Sequence, residues 1–193
     1  MLDVAGGVSS FGAEANARGI RVTSFDPIYS LSADEIAARS EPDLEAVYRE
    51  IGKVPTYRWN YYKTPERMRE FRERAYSTFV SDYRNHPERY VAGELPNLPF
   101  ADSSFDLTLV SYFLFAYQNR LSYQFHRDSI LEIMRVTRWE ARIYPTVTFE
   151  GQPSEYTSML RSDRALKRFR FTEAKTDFEF LVNSNSFLRV NHD

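Results

Sequence analysis

The sequence predicts an α/β domain: a mostly parallel central sheet with flanking helices, an antiparallel last strand and a helical insertion between strands 2 and 3. Three observations predict it. Within residues 1–26 the chain reads as a short apolar strand, a turn, a helix, a second strand and then an acidic residue. From Phe105 onward, apolar runs of strand length alternate with a segment of helical period. The C-terminal stretch consists of short alternating runs around Asn183-Ser184-Asn185-Ser186, the composition of a hairpin turn.

Each element has its own signal. Residues 1–4 and 20–25 are apolar runs bounded by turns, as buried parallel strands are. Between them Phe11 to Arg18 is Ala-rich and helix-prone, and Gly19 suits its C-terminus. Residues 30–92 read as an all-helical insertion. Ser32 with Glu35 forms a capping box for a helix from Ala33 to Arg39. Pro42 fits the first turn of the next helix and Gly52 its end. Thr64-Pro65 opens a third, with Met68, Phe71, Ala75, Phe79 and Tyr83 along one apolar face. Strands are then expected at Phe105 to Phe115, Ala141 to Phe149, Arg168 to Phe171, Thr176 to Val182 and Phe187 to Val190, with a helix from Ser129 to Val136. The hairpin turn joins the last two strands. The basic run Arg161, Arg164, Lys167, Arg168, Arg170 reads as a solvated helix face.

The composition narrows the function classes. A chain of 193 residues, 42% hydrophobic and 27% charged, has the size and balance of one globular domain. A formal net charge of -2 gives no electrostatic case for nucleic acid or an anionic membrane. With no cysteine there is no disulfide, thiolate metal site or Cys nucleophile. His86, His126 and His192 are isolated from one another, so no metal site is expected. No apolar run approaches the roughly 20 residues that span a bilayer, and the N-terminus has no signal pattern, so a cytoplasmic protein is expected.

The opening turn suits a nucleotide-like cofactor. A turn with little side chain lets a cofactor approach the backbone, and a carboxylate at the end of the next strand, Asp26, can accept hydrogen bonds from a ribose diol. Two registers compete. Gly7-Val8-Ser9-Ser10-Phe11-Gly12 nearly matches the dinucleotide fingerprint, with Ser9 where the middle glycine should be. Asp3-Val4-Ala5-Gly6-Gly7-Val8-Ser9 resembles motif I of the class I S-adenosylmethionine (SAM) dependent methyltransferases, a Rossmann-like family. There an acidic residue precedes Gly-x-Gly-x-Gly; here Ala5 and Ser9 replace the outer glycines and Gly7 keeps the central one.

The downstream text favours the second register. The segment from Gly93 to Leu107, with Leu95-Pro96, Leu98-Pro99-Phe100 and Phe105-Asp106, resembles the family's run from the adenine contact into strand four. Ile130 to Val136 resembles the helix before strand five and Arg142-Ile143-Tyr144 that strand, with Arg138-Trp139-Glu140 standing where the family has a Pro-Gly-Gly turn. The resemblance covers nearly the whole chain. Because the chain opens inside its first strand, the expected domain lacks the earlier segment that packs over the site in most proteins with this opening.

The resemblance implies SAM as cofactor and a small-molecule methyl acceptor. It implies that Asp26, with Pro27 beside it, holds the ribose hydroxyls. Ala5, Gly6, Gly7, Val8 and Ser9 approach the methionine half, and Asp3 either fixes the loop or favours the positive amino group. Glu94 accepts the adenine amino group and the Leu95 amide contacts the ring. Ser111 and Tyr112 lie beside the sulfonium and the acceptor. If the acceptor must lose a proton, Tyr112 and His126 are the candidate bases. Tyr57, Trp59, Tyr61 and Tyr62 read as a lid or acceptor pocket, with core packing as the alternative. The Asn-Pro-Pro-Tyr type motif of amino-group nucleic-acid methyltransferases is absent. Two other readings stay open: a non-catalytic SAM-binding or degenerate interaction domain, motivated by Ala5 and Ser9, and a nicotinamide-dependent oxidoreductase, against which Ser9 and the Leu-Pro-Phe segment argue.

Overall fold

The computed structural model describes residues 1–39, 48 and 51–193. Seven strands form one sheet: β1 (Leu2–Val4), β2 (Thr23–Phe25), β3 (Tyr90–Val91), β4 (Phe105–Ser111), β5 (Thr137–Tyr144), β6 (Phe169–Lys175) and β7 (Ser186–His192). Their order is β3-β2-β1-β4-β5-β7-β6. The first five are mutually parallel, and β7 runs antiparallel to both β5 and β6. This is a Rossmann-like α/β arrangement with a reversed last strand. The order reverses between β1 and β4, so a crevice opens at the carboxyl ends of these strands, where open α/β sheets bind ligands.

One face of the sheet carries the main core. Leu2 and Val4 of β1, Val110 of β4, Ala141 and Ile143 of β5, and Leu188 and Val190 of β7 are all at most 1% exposed. They pack on Ile130, Ile133 and Met134 of α4 (Tyr123–Val136) and Leu160 of α5 (Tyr156–Ser162). Across from these, α1 (Phe11–Ala17) follows the first turn closely. A Cβ on Gly12 would come within 2.7 Å of Ser24 Oγ, so only glycine lets the helix approach β2 this nearly.

The insertion packs as two further clusters. Ser32 and Glu35 form the reciprocal box that starts the helical residues 33–39 (α2): Glu35 N donates to Ser32 Oγ at 3.2 Å and Ser32 N to Glu35 Oε2 at 2.8 Å. Thr64 Oγ1 accepts from Arg67 N at 3.2 Å and caps α3 (Pro65–Asn85). Ile36 of α2 and Phe79, Val80 and Tyr83 of α3 bury Tyr29 and Tyr90. Lower on α3, Met68 packs with Ile51 and Phe180. Pro42 lies outside the described residues.

The structure corrects several boundaries. The insertion is not helical throughout, because β3 lies inside residues 30–92; two residues are too short to display a period of two. α4 starts at Tyr123 rather than Ser129, capped by Ser122 Oγ, which accepts from Phe125 N at 3.2 Å. No turn separates α4 from β5. Arg138, Trp139 and Glu140 are strand residues, and Thr137 makes the junction by donating to Ile133 O at 2.6 Å. β5 ends at Tyr144, before Pro145, rather than at Phe149. Thr176 to Val182 is not a strand. β6 and β7 pair directly, Lys175 with Ser186, and residues 176–185 form the connection at the open end of that hairpin. The alternation there reflects Phe178 and Phe180 pinned into the aromatic cluster below the insertion. The basic run is no single helix face: Arg161 lies in α5, Arg164 in a 3-10 turn and Arg170 in β6.

Candidate functional site

The turn after β1 is built by bonds that span it. Ala5 and Gly7 both take positive φ, 55° and 52°. A Cβ on Gly6 would stand 2.9 Å from both Asp3 Oδ2 and the Tyr29 hydroxyl oxygen, so this position admits only glycine. Gly7 N donates to Asp26 Oδ2 at 3.0 Å, and the Tyr29 hydroxyl donates to Gly7 O at 2.7 Å. The other carboxylate oxygen of Asp26 accepts from Ile28 N at 2.9 Å. Asp26 thus caps the turn after β2 and ties it to the turn after β1. Each of its oxygens keeps capacity for another donor. Ser9, which departs from the family's glycine, accepts through Oγ from Phe11 N at 3.1 Å at the start of α1, a bond no glycine could provide.

Two carboxylates share this corner. Asp3 is 6% exposed, and burial, then the charge of Asp26, pushes its pKa up to about 7. The Tyr29 phenol is pushed far above its ordinary value, first by burial and then by Asp26 and Asp3, so it stays a donor at neutral pH.

Ala5 and Asp26 border a cleft of about 360 Å³, whose lining does not include Asp3, Gly6, Gly7 or Tyr29. Val4, Ala5, Phe25, Asp26 and Pro27 form one side; Gly93, Glu94 and Leu95 form another. Gly93 crosses the Phe25 ring so closely that a Cβ would lie 2.6 Å from it. Glu94 is exposed and Leu95 is buried. Beyond them the chain turns, with Asn97 N donating to Glu94 O at 3.1 Å. Phe113, Leu121 and Phe125 close the remaining side. Sequence reasoning missed these three, although the position of Phe113 two residues past β4 was a usable signal.

The Glu94–Phe100 loop is held from a distance. Arg135 on α4 donates to Phe100 O at 2.8 Å and Leu98 O at 3.0 Å, and it forks onto both oxygens of Glu132 at 2.7 and 2.8 Å. Glu132 in turn accepts from Leu98 N at 2.9 Å. Neither residue stood out in the sequence. Their spacing of three marks a helix-surface pair, and nothing local shows that it reaches a loop before β4.

The remaining candidates fall outside this cleft. Val8 and Ser9 are exposed. His126, a candidate base, is fully buried, with Nδ1 2.9 Å from Ser122 O and Nε2 3.0 Å from Leu114 O. Burial lowers its pKa. Tyr112, the other candidate base, has φ 52°, donates through its amide to Tyr144 O at 2.7 Å, and places its hydroxyl 3.3 Å from that of Tyr144. Burial pushes its pKa well above the ordinary phenol value, which leaves it protonated at neutral pH. Tyr57, Trp59, Tyr61 and Tyr62 pack on Phe71, Phe178 and Phe180, with Tyr57 stacked on Phe180 at 4.5 Å and Tyr62 against it at 5.3 Å. None of the four borders the 360 Å³ cleft. Tyr57 instead meets Tyr117, Arg120 and Phe149 around a separate cavity of about 350 Å³.

No protein-family model matches the chain. Uncharacterized protein MJ0045 of Methanocaldococcus jannaschii is 37% identical over 192 residues, covering 98% of this chain and 84% of that protein. A solved structure concerned with the conversion of a disulfide bond into a thioacetal group during echinomycin biosynthesis aligns over 100% of this chain and 74% of its own, at 12% identity and a TM-score of 0.50. A SAM-dependent methyltransferase from Methanosarcina mazei aligns over 99% and 91%, at 14% identity and a TM-score of 0.46. The likeness to the echinomycin-related structure concerns the fold alone. The chain belongs to the family of the Methanocaldococcus jannaschii protein. No helix among the described residues is long and apolar enough to cross a membrane.

Proposed function

We propose that the chain binds SAM in the 360 Å³ cleft and transfers its methyl group to a small-molecule acceptor. The observation that carries this reading is the position of Asp26. It stands at the end of β2, bonded to the turn after β1, and borders the same cleft as the Glu94-Leu95 segment. The residues fit such a ligand. Gly6 and Gly93 have no room for a Cβ, so the first turn packs directly on Asp3 and Tyr29 and the Gly93-Glu94-Leu95 segment directly on Phe25. Asp3 adds a half-ionised carboxylate at the base of the first turn.

SAM supplies a methyl group already activated on a sulfonium, so the protein's task is orientation rather than chemistry. In this reading the spare acceptor capacity of Asp26 takes the ribose hydroxyls. Asp3, once ionised, favours the amino group of the methionine half. Glu94 accepts from the adenine amino group, and Leu95 with Phe25 and Phe125 encloses the ring. No buried base is required if the acceptor reacts as a free amine, thiolate or carboxylate. The modest net charge of -2 and the absent Asn-Pro-Pro-Tyr type motif support a small acceptor over nucleic acid.

Calorimetric titration with SAM and its demethylated product, S-adenosylhomocysteine, tests the reading beside an Asp26→Asn variant and an NADH control. Saturable binding of both SAM forms, weakened in the variant, is expected. Binding of NADH with no response to either SAM form would transfer the site to nicotinamide chemistry. Tight SAM binding with no turnover across an acceptor screen would make this a binding module.

A further inference from the structure

A second opening lies at the same end of the sheet. It is a cavity of about 210 Å³ bounded by Ser111 at the end of β4, Arg142 and Tyr144 of β5, Phe187 of β7, and Thr176 and Phe178 of the β6–β7 connection. Register sets its upper edge, Ser111, next to the cofactor cleft, with Leu109 and Arg142 on the sheet face opposite Val4. Val4 pairs with Val110, so the next residues outward on these neighbouring strands are Ala5, which borders the cofactor cleft, and Ser111, which borders this one. Adjacent strands stand about 4.8 Å apart. Asp3, Leu109, Arg142 and Arg189 are register partners in succession, which puts them on one face of the sheet.

The lining has a definite chemistry. Tyr144 and Phe178 meet with ring centroids 6.1 Å apart, and the Arg142 guanidinium lies 5.8 Å from the centroid of Phe187. Arg142 binds the Glu140 carboxylate through Nε alone, and its two Nη groups donate to nothing among the described residues. Glu140 accepts from Arg189 as well. Two guanidiniums therefore share one carboxylate, and the Nη groups of Arg142 remain as donors at the cavity. Planar donors over aromatic walls recognise planar anions. An apolar cavity of about 150 Å³ already holds benzene. The volume here suits one ring with a substituent.

We propose that this cavity is the acceptor subsite and takes an aromatic carboxylate, its ring against Tyr144, Phe178 and Phe187 and its anionic group on the Nη groups of Arg142. The label "acceptor" rests on the methyl-transfer reading; the ligand chemistry does not.

Benzoate and its uncharged isostere benzamide, titrated by ligand-observed NMR into protein saturated with S-adenosylhomocysteine, test the proposal. Benzoate should bind saturably and about tenfold more tightly than benzamide, the scale of one charge-assisted contact. Arg142→Gln should remove that difference while S-adenosylhomocysteine affinity stays within about twofold, since Arg142 does not border the cofactor cleft. Phe178→Leu should weaken both probes and keeps the proposal falsifiable should the Arg142 variant not fold. Equal binding of the two probes, benzoate binding that ignores Arg142→Gln, or no saturable binding of either would overturn it. Arg142-dependent benzoate binding in a protein that binds no S-adenosylhomocysteine would remove the methyl-transfer reading and leave the anion subsite standing.

Discussion

The two sides of the cofactor cleft are held in different ways. The turns after β1 and β2 are tied to each other by short-range means: a glycine without room for a Cβ, and one carboxylate, Asp26, that accepts from the amides of Gly7 and Ile28. The Glu94–Phe100 loop has no comparable internal framework. It hangs on Arg135 and Glu132, which reach it from α4. One wall is encoded where it stands, and the other is positioned by a helix that follows the next strand. A substitution in the first should therefore affect ligand contact directly, whereas one in the second should act through the position of the loop.

The largest expected effect is on the first wall. Asp26→Asn keeps the shape but turns an acceptor into a partial donor, and it should weaken S-adenosylhomocysteine by roughly 30-fold, about 2 kcal/mol, in calorimetry. Retained affinity would remove Asp26 from the site. On the second wall, Arg135→Ala should weaken the same ligand by about tenfold and lower unfolding free energy by about 1.5 kcal/mol, because two loop carbonyls and the Glu132 carboxylate lose their donor. Loss of stability with unchanged affinity would show that the loop holds its place without Arg135.

Asp3 separates the two effects by pH. Its folded pKa, about 7, lies above its ordinary value of 3.8, so the protonated form is favoured in the folded state. The stability this confers is complete below about pH 4 and is lost as pH rises to about 7. Asp3→Asn should flatten that dependence and raise Tm most at pH 8. The same change should abolish the rise in SAM affinity expected as Asp3 ionises, since a positive amino group needs the carboxylate. Thermal melts and titrations at pH 5 and pH 8 read both. A wild-type melt with no loss of stability across this range would remove Asp3 from the account. The smallest effect is at Ala5, whose φ of 55° penalises a Cβ: Ala5→Gly should stabilise by about 0.5–1 kcal/mol in denaturant titration, with affinity unchanged.

The same contrast governs what could be read from the sequence. The β1–turn–α1–β2–Asp26 order was legible because its signals are local: apolar runs, a glycine turn and a carboxylate at a strand end. The capping box at Ser32 and the helix start at Thr64-Pro65 were legible for the same reason. β3 was not, since two residues carry no period. The start of α4 was hidden because Gln124, Arg127 and Asp128 interrupt its apolar pattern, though the Ser122 cap was available to find. Thr176 to Val182 misled because an alternating apolar and polar sequence arises in a pinned connection as readily as in a strand.

The aromatic residues of the insertion show the limit most plainly. Tyr57, Trp59, Tyr61 and Tyr62 cluster in the sequence, but their partners Phe178 and Phe180 lie more than a hundred residues away, and only the folded chain brings the two groups into one stack. By itself, then, the sequence determined the α/β class, the antiparallel last strand, the glycine turn and the carboxylate at the end of β2, because apolar runs, turn residues and a strand-end acid are each read within their own segment. The tertiary structure decided which strands adjoin and how Arg135 anchors the loop. It also decided that His126 is sealed in the core and that Arg142 faces a ring-lined cavity. Those outcomes depend on contacts between residues far apart in the chain, and such contacts leave no mark on local periodicity.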